Sequence, residues 1–357
     1  MNNNNFKIGN SDISKNSSTY FIADIAANHD GDLEKAKDLI YMAKEAGADA
    51  AKFQHFKAKT IVSDYGFKNL SSKASHQKNW TKSIYEVYQD AEVPLNWTEE
   101  LYNTCKKADI DFFTSPYDMD EIDFINKYIP AYKVGSGDIT FHQIIEKIAH
   151  YNKPILLATG ASDIDEVINI MSKIEQINKN IVLMQCNTNY TASNENFKYI
   201  QLNVLKSYGL MFPNAILGLS DHTLGDTTVL GAIALGAKVI EKHFTNNNNL
   251  DGPDHKFSMN PISWRDMVDK SRELEYALGG TIKKVEDNER ETVILQRRCL
   301  RIAQNLKKGD IITSEMIEIL RPAPSDSILP FKLKKVIGKI VINDIEQGSH
   351  LRWSDIK

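Results

Sequence analysis

Short apolar runs alternate with helical patterns along most of the chain, from Thr19 to about Gly280. Apolar runs joined by amphipathic helices are typical of a parallel sheet whose strands are buried on both faces. The runs predict eight strands, at Tyr20–Ala26, Ala50–Phe56, Phe112–Ser115, Ala131–Gly135, Ile155–Thr159, Ile181–Gln185, Ala215–Ser220 and Val239–Phe244. Eight strand–helix units in this length match the usual size of a TIM barrel.

Helical periodicity marks the segments between the strands. Leu33, Ala36, Leu39 and Ile40 recur at the spacing of one helix face. Further helices are predicted at Asp118–Tyr128, Asp163–Ile177 and Ile262–Leu278. An open doubly wound sheet is the alternative, but no glycine fingerprint follows the first strand. The pattern therefore favours an α/β fold with a (β/α)8 TIM barrel over residues 19–280.

The two ends of the chain differ from this central segment. Residues 1–18 are polar and lack the apolar core of a signal peptide, which predicts a disordered tail. Residues 281–296 are rich in charge and poor in periodicity, which predicts a linker. In residues 297–357 the segment around Gly309 is echoed around Gly348, with an aliphatic residue three positions after each glycine. Two such halves predict a small, β-rich domain with internal pseudo-symmetry.

Composition and charge exclude several classes of partner. Of the 357 residues, 42% are hydrophobic and 25% are charged, as in soluble globular proteins. A net charge of −4 offers no basic surface to nucleic acid, and no run approaches the roughly 18 apolar residues of a membrane helix. Three distant cysteines form no disulfide framework, which predicts a reducing, cytoplasmic location. Cys186 is either a small buried residue or a nucleophile.

Polar residues collect where the predicted strands end. The reacting groups of a TIM barrel sit at these carboxyl-terminal ends. The polar residues there are Asp24, Asn28, His29, Lys52, Gln54, Thr114, Ser115, Lys133, Ser136, Asp138, Thr159, Asn187, Thr188, Tyr190, Ser220, Asp221, His222 and His243. Such a density of polar groups at one rim predicts an active site.

His222 and His243 are the most informative pair at this rim. They lie 21 residues apart, about one strand–helix repeat, so each falls at the same level of a neighbouring strand. Adjacent strands are roughly 4.8 Å apart, a gap that two imidazole nitrogens can span by binding one metal ion. The alternative is a pair of histidines that hydrogen-bond to loop carbonyls.

Lysines and carboxylates occupy the same rim. Lys52 and Lys133 fall within predicted strands, where an ammonium is costly unless it reaches an anion or solvent. With Ser136 and Ser220, they could hold a doubly charged phosphate. The aspartates at positions 24 and 138 are candidates for a base or for water-mediated metal binding, and loop capping is their alternative role.

Six segments resemble the sialic acid synthases and their legionaminic and pseudaminic acid synthase relatives. They are ADIAANHDGD (23–32), AAKFQ (50–54), IPAYKVGSGD (129–138), GLSDHTLGD (218–226), EKHFT (241–245) and GPDHKFSM (252–259). The resemblance runs from Phe21 to the C-terminus, and the segment from Arg297 resembles the antifreeze-like (SAF) domain of this family. It implies a TIM barrel followed by a SAF domain.

The resemblance also implies roles for individual residues. The metal, Mn²⁺ or else Mg²⁺ or Co²⁺, would be bound by His222 and His243. Phosphoenolpyruvate would contact Lys52, Lys133, Ser136, Thr159 and Ser220, and the sugar Gln54, Asn79, Tyr190, Asp254 and Arg321. Catalysis would involve Asp24, Asp138 and the two histidines. The family is also expected to form a domain-swapped homodimer, with the SAF domain of one subunit over the barrel of the other.

The chain departs from the family pattern around the expected substrate pocket. Asp24 and Asp138 stand where the sialic acid synthases have glutamate, so each carboxylate is one methylene shorter. Ala158 replaces a serine, Thr188 replaces an asparagine, and PAPSDS (322–327) replaces a glycine-rich turn. These changes predict a sugar substrate other than N-acetylmannosamine.

Together these features predict a metal-dependent enzyme that condenses phosphoenolpyruvate with an N-acetylated hexosamine aldehyde. The product would be a nonulosonic acid, formed by C–O cleavage with release of phosphate. Sugar-acid aldolases of the KDO or DAHP type are one alternative, but they lack the appended domain. A non-catalytic carbohydrate-binding protein is the other alternative, and it would not need two lysines and two histidines at the barrel rim.

Overall fold

The computed structural model describes residues 5–70, 80 and 82–357. These residues divide into two compact units, residues 1–279 and residues 280–357. Asn79, predicted to contact the sugar, lies outside the described residues. No helix in the described part of the chain is long and apolar enough to span a bilayer.

Strands of the first unit form a hairpin and a barrel. The strands are β1 (Phe6–Ile8), β2 (Ser11–Ile13), β3 (Tyr20–Asp24), β4 (Ala50–His55), β5 (Asp111–Pro116), β6 (Tyr132–Val134), β7 (Ile155–Ala158), β8 (Ile181–Cys186), β9 (Ile216–Asp221) and β10 (Ala237–His243). The eight parallel strands follow the order β5-β4-β3-β10-β9-β8-β7-β6, and β5 lies beside β6, which closes the barrel. The TIM-barrel prediction is confirmed, and every predicted strand boundary lies within two residues of the observed one.

Helices of the first unit follow the barrel strands. They are α1 (Leu33–Glu45), α2 (Ala58–Ile61), α3 (Asp64–Asn69), α4 (Ile84–Asp90), α5 (Thr98–Ala108), α6 (Ile122–Asn126), α7 (His142–Ala149), α8 (Ile164–Ile177), α9 (Val204–Met211), α10 (Thr227–Ala234) and α11 (Pro261–Leu278). In α1 the Asp32 side chain accepts hydrogen bonds from two backbone amides of the first turn, and the apolar face around Leu39 is buried. Local capping and tertiary burial thus specify the same helix.

Successive residues of each barrel strand alternate between the interior and the helix layer. The interior row begins at the amino-terminal end with apolar residues: Tyr20, Ile22, Ala50, Phe113, Ala131, Leu156, Val182, Met184, Ile216 and Val239. The same rows continue toward the carboxyl-terminal end with Asp24, Lys52, Ser115, Lys133, Cys186, Ser220, Glu241 and His243. The barrel interior is therefore apolar at one end and polar at the other.

The predicted disordered tail over residues 1–18 is wrong for its described part. There β1 and β2 pair as an antiparallel hairpin, and Phe6, Ile8 and Ile13 pack with the apolar interior row. The turn requires Gly9, because its φ is +55° and a Cβ would collide with the Asp111 carboxylate. Three buried apolar side chains, spaced among polar ones, stabilise a segment whose average composition indicates disorder.

The second unit contains the remaining strands and helices: α12 (Arg290–Gln296), β11 (Cys299–Ile302), β12 (Ile317–Leu320) and α13 (Leu333–Val336). β11 and β12 pair antiparallel, and the two sequence repeats meet through a bridge between Leu306 and Ile345. Both of these residues pack against one small apolar core that also contains Leu300 and Leu351. Residues 281–296, predicted as a linker, include α12 and belong to this unit.

Candidate active site at the carboxyl-terminal end of the barrel

Two lysines and two carboxylates form a buried chain of charges inside the barrel. The Lys52 ammonium donates to Asp24 Oδ2 at 2.5 Å and lies 3.8 Å from Glu241 Oε2. The Lys133 ammonium lies 3.2 Å from Glu241 Oε1. Burial alone would lower the pKa of Lys52, but the charges of Asp24 and Glu241 raise it above its ordinary value. Both lysines are nearly inaccessible to solvent, so neither reaches it by snorkelling.

Glu241 connects the two lysines and was not among the predicted site residues. Its Oε1 accepts a hydrogen bond from the Ser220 hydroxyl at 3.1 Å, whereas its Oε2 is buried without a hydrogen-bond partner. A carboxylate in this position is buried only because two ammonium groups compensate its charge, so Glu241 belongs to the charged cluster of the site. The signal was present in the sequence, because a residue two positions before His243 on a strand shares its interior face.

His222 and His243 face each other, as the 21-residue spacing predicted. Asp221 pairs with Lys242 in the β9–β10 ladder, which places the two following histidines side by side. Their ring centroids are 5.3 Å apart. His222 Nδ1 donates to the Asn187 carbonyl at 3.0 Å, so Nε2 is the nitrogen that carries the lone pair when the ring is neutral. His243 Nδ1 is buried without a hydrogen-bond partner, and burial lowers the pKa of this histidine well below its ordinary value.

These two imidazoles are suitable for an open metal site. Metal-bound histidines usually donate their second ring N–H to a carbonyl or carboxylate, as His222 does. Asp24 Oδ2 lies 3.7 Å from His243 Nε2, and Asp254 Oδ2 lies 3.8 Å from His243 Nδ1. Within the described ranges, no three His, Cys, Asp or Glu side chains form a ready-made cage. Two imidazoles with carboxylates nearby are a donor set of the kind that binds divalent metals when further ligands are supplied by water or substrate.

A short 3₁₀ turn, Ser136–Asp138, follows β6 and brings two more predicted residues to the rim. The Ser136 hydroxyl accepts a hydrogen bond from the Gly160 backbone amide at 2.9 Å. A Cβ at Gly160 would collide with the side chains of Ser136 and Thr188, so a larger residue here would displace them. Burial raises the pKa of Asp138 to about 6, against the opposing charge of Lys133.

Three of the predicted sugar-binding residues, Tyr190, Gln54 and Asp254, contact the histidines or carboxylates of the site or lie close to them. Tyr190 packs against the His222 ring, with a centroid distance of 4.4 Å, and lines a cavity of about 1130 Å³. Gln54 donates to Asp24 Oδ2 at 3.1 Å. Asp254 accepts a hydrogen bond from the Ala27 amide, and burial raises its pKa to about 6. The cavity wall is mixed, with apolar and charged residues that include Ala27, Trp80, Val87, Lys82, Asp90 and Lys256.

Thr159 and Arg321 are two further predicted residues. The Thr159 hydroxyl donates to the Met184 carbonyl and accepts from the Tyr208 hydroxyl of α9, so it is directed to the helix layer. Thr159 follows an interior residue, and strand alternation therefore turns it outward. Arg321 lies in the second unit, and its backbone follows β12. Their roles toward substrate stay predictions.

Known proteins similar to this chain include synthases of legionaminic and pseudaminic acid. An N,N'-diacetyllegionaminic acid synthase from Campylobacter jejuni is 35% identical over 94% of this chain and 99% of that protein. A pseudaminic acid synthase from the same species is 31% identical over 98% of this chain and all of that protein. The crystal structure of the Bacillus subtilis spore coat polysaccharide biosynthesis protein SpsE is similar with a TM-score of 0.65, 30% identity and 99% of both chains covered.

Two family models match the chain in sequence order. The NeuB family model matches residues 39–283, which contain most of the barrel, and the SAF domain model matches residues 297–357. The resemblance inferred from the six sequence segments is thereby confirmed. The chain belongs to the NeuB family and ends in a SAF domain.

Proposed function

We propose that this chain is a nonulosonic acid synthase that condenses phosphoenolpyruvate with an N-acetylated hexosamine aldehyde. One observation supports this activity most directly: two buried ammonium groups and two facing imidazoles share one end of the barrel interior. The ammonium groups suit the phosphate and carboxylate of phosphoenolpyruvate, and the imidazoles suit a divalent metal. The named synthases similar to this chain support the same reaction class.

Lys52 and Lys133 are the groups that bind the enol phosphate. Their ammonium groups are already fixed by Asp24 and Glu241, so little reorganisation is required when the anion arrives. The Ser220 hydroxyl, now donated to Glu241, and the Ser136 hydroxyl are the neutral donors beside them. Thr159 is the weakest member of this predicted set, since its hydroxyl is already engaged.

His222 and His243 are the residues that would hold Mn²⁺, or else Mg²⁺ or Co²⁺. When bound, the ion supplies Lewis-acid polarisation of the sugar aldehyde. The chain itself keeps His243 neutral by burial and directs the second nitrogen of His222 to a carbonyl. Asp24 and Asp254 lie near the Nε2 and Nδ1 atoms of His243, respectively, and would accept hydrogen bonds from water beside a bound ion.

The carbon–carbon bond forms between C3 of phosphoenolpyruvate and the aldehyde carbon as the aldehyde C=O π bond breaks. The aldehyde oxygen takes up a proton and becomes a hydroxyl group, and C2 is left electron-poor. Water adds to C2, and phosphate then leaves by C–O cleavage to give the 2-keto acid. Asp138 is the group we assign to remove the proton from this water, because its raised pKa makes it a stronger base than an exposed aspartate. Asp24 is salt-bridged to Lys52 and is better suited to positioning.

Sugar recognition belongs to the cavity beside Tyr190. Gln54, which donates to Asp24, and Asp254, which accepts from the Ala27 amide, are the polar residues we assign to the sugar, and Asn79 and Arg321 complete the predicted set. We further propose that the protein is a homodimer in which the SAF domain of one subunit contributes Arg321 to the partner's site. The three buried, unpaired cysteines support a location in the reducing cytoplasm.

The test is a reaction of the full chain with phosphoenolpyruvate, Mn²⁺ and a panel of N-acetylated mannose-type and altrose-type sugars. Phosphate release with one sugar, and a product of the corresponding nine-carbon mass, are expected. Phosphoenolpyruvate labelled with ¹⁸O in its bridging position should transfer the label to phosphate, because C–O and not P–O cleavage occurs. If no sugar of the panel releases phosphate, while a seven- or eight-carbon acid forms from a phosphorylated aldose, the KDO or DAHP alternative is correct.

A further inference from the structure

A second buried ion pair lies on the outer side of the barrel, directly behind the two histidines. The Lys242 ammonium donates to Asp221 Oδ2 at 2.5 Å, and neither side chain is more than 1% exposed. Asp221 precedes His222 and Lys242 precedes His243, so strand alternation turns this pair away from the barrel interior. None of the roles assigned above to the active site uses it.

Further hydrogen bonds join this pair to the residues that follow β9. Asp221 Oδ2 also accepts from the hydroxyls of Thr223 and Thr228, and Asp221 Oδ1 accepts from the Thr223 amide. The Lys242 ammonium makes a second bond, to the Thr223 carbonyl at 2.7 Å. One cation on β10 therefore binds the residue before His222 and the residue after it. The side chain of Lys242, which is next to His243, therefore holds the backbone on both sides of His222.

The surroundings make this pair unusual. The outer face of the barrel is otherwise apolar here, with Leu219, Val229, Ala232, Ile233, Ile240 and Phe244 in the hydrophobic core. A buried ion pair in such a layer is frequently no more stabilising than well-packed apolar residues of the same volume. Stability alone is thus a weak reason for charges at these two positions. A stronger reason is that each of the two charged residues is next to one of the histidines.

We propose that Asp221 and Lys242 are positioning residues that set the separation of His222 and His243, and with it the affinity for a divalent metal. The inference rests on the proposed function, in which these histidines bind the ion. Asp221 and Lys242 form the last residue pair between β9 and β10, just before each strand continues into a loop. Without it, the segment from His222 to Thr223 is free to move relative to β10, and the two imidazoles lose their fixed approach.

The experiment measures Mn²⁺ binding by the full chain, from the electron paramagnetic resonance signal of free Mn²⁺, with no substrate present. The informative variant is Asp221→Asn/Lys242→Met, which removes both charges at nearly constant volume and leaves no unpaired buried ion. We expect a dissociation constant about 10- to 100-fold higher than that of the unaltered protein. Turnover should fall at low Mn²⁺ and recover at saturating Mn²⁺, while KM for phosphoenolpyruvate stays unchanged because Lys52 and Lys133 are untouched.

The matched control is Arg272→Met, which removes a partly buried ion pair with Glu275 near the amino-terminal end of β3. It should lower the melting temperature and leave Mn²⁺ affinity unchanged. If Asp221→Asn/Lys242→Met binds Mn²⁺ with the same dissociation constant as the unaltered protein, the ion pair has only a structural role and the inference is wrong. The assignment of the metal centre to the two histidines would not be affected by that result. If the unaltered protein itself binds no Mn²⁺, the metal centre and this inference fall together.

Discussion

Single residues decide the chemistry at the carboxyl-terminal end of the barrel. Lys52 and Lys133 are buried because Asp24 and Glu241 neutralise their charges. Asp24 and Asp138 are shorter than the glutamates of the sialic acid synthases. Asp24 nevertheless reaches the Lys52 ammonium and lies near the His243 ring, so the shorter side chain is compatible with a central position.

Replacement of His243 by alanine tests the metal assignment at this scale. We expect kcat to fall more than about 100-fold in Mn²⁺-replete buffer, because the lost ligand removes several kcal/mol of charge stabilisation. The circular dichroism spectrum should be retained, since only one buried ring is lost. His142→Ala is the control, because that ring lies at the start of α7 and pairs with Lys173. A His243→Ala enzyme with most of its turnover would show that the assignment is wrong.

Asp138 provides a pH-dependent test. Its folded-state pKa of about 6 lies above that of an unfolded aspartate, so the folded state binds more protons and stability falls as pH rises between about 4 and 6. Asp138→Asn should therefore raise the free energy of unfolding at pH 7.5 by about 1–2 kcal/mol, allowing for the partial exposure of the carboxylate. This gain should be about halved at pH 5 and should vanish below pH 4.

The measurement is urea unfolding of the metal-free protein at each pH, beside turnover at pH 7.5. Asp138→Asn should lower turnover by about 10²- to 10⁴-fold if the carboxylate is the base. A variant that is stabilised and still fully active would separate the two properties and exclude the proton-transfer role. A variant without the stability gain would show that burial does not raise the Asp138 pKa.

At the scale of elements, the amino-terminal hairpin closes the barrel end opposite to the site. Its three apolar side chains join the interior row, which includes Ile22, Val182 and Ile216. The interior thus has an apolar floor beneath the charged layer of Lys52 and Lys133. Because the apolar end of the interior excludes water, the interactions among the buried charges at the other end are stronger.

Ile8→Ala tests this role of the hairpin. The side chain is fully buried, so its truncation should cost about 2–4 kcal/mol of unfolding free energy. Activity at 25 °C should be retained, since the hairpin belongs to the opposite end of the barrel from the site. Ile262→Ala, whose side chain is 84% exposed, is the matched control and should change stability by less than about 0.5 kcal/mol. Equal stability of both variants would contradict a packed hairpin.

At the scale of the whole molecule, subunit complementation tests the proposed domain-swapped dimer. His243→Ala and Arg321→Ala should each be inactive as homodimers. When the two chains are co-expressed, a mixed dimer combines an intact barrel with the intact Arg321 of its partner in one of its two sites. Random pairing should restore about a quarter of the unaltered activity. If each SAF domain serves its own barrel, every site keeps one defect and no activity returns.

The sequence alone determined the architecture and most of the site. The periods of the strands and helices predicted the barrel. The polar residues at the strand ends included Lys52, Lys133, His222 and His243, and their common face could be predicted because side-chain alternation along a strand is a local property. The family segments supplied the SAF domain and the reaction class. Each of these inferences needs only residues that are neighbours along the chain or that repeat at a fixed interval.

Only the tertiary structure decided which groups meet. Glu241 lies between two lysines that are distant from it in sequence, Thr159 turns toward α9, and the apparently disordered start of the chain packs into the barrel floor. The clamp of Lys242 on Asp221 likewise depends on the register of two strands. Burial and charge pairing are properties of three-dimensional neighbours, and local composition does not encode them.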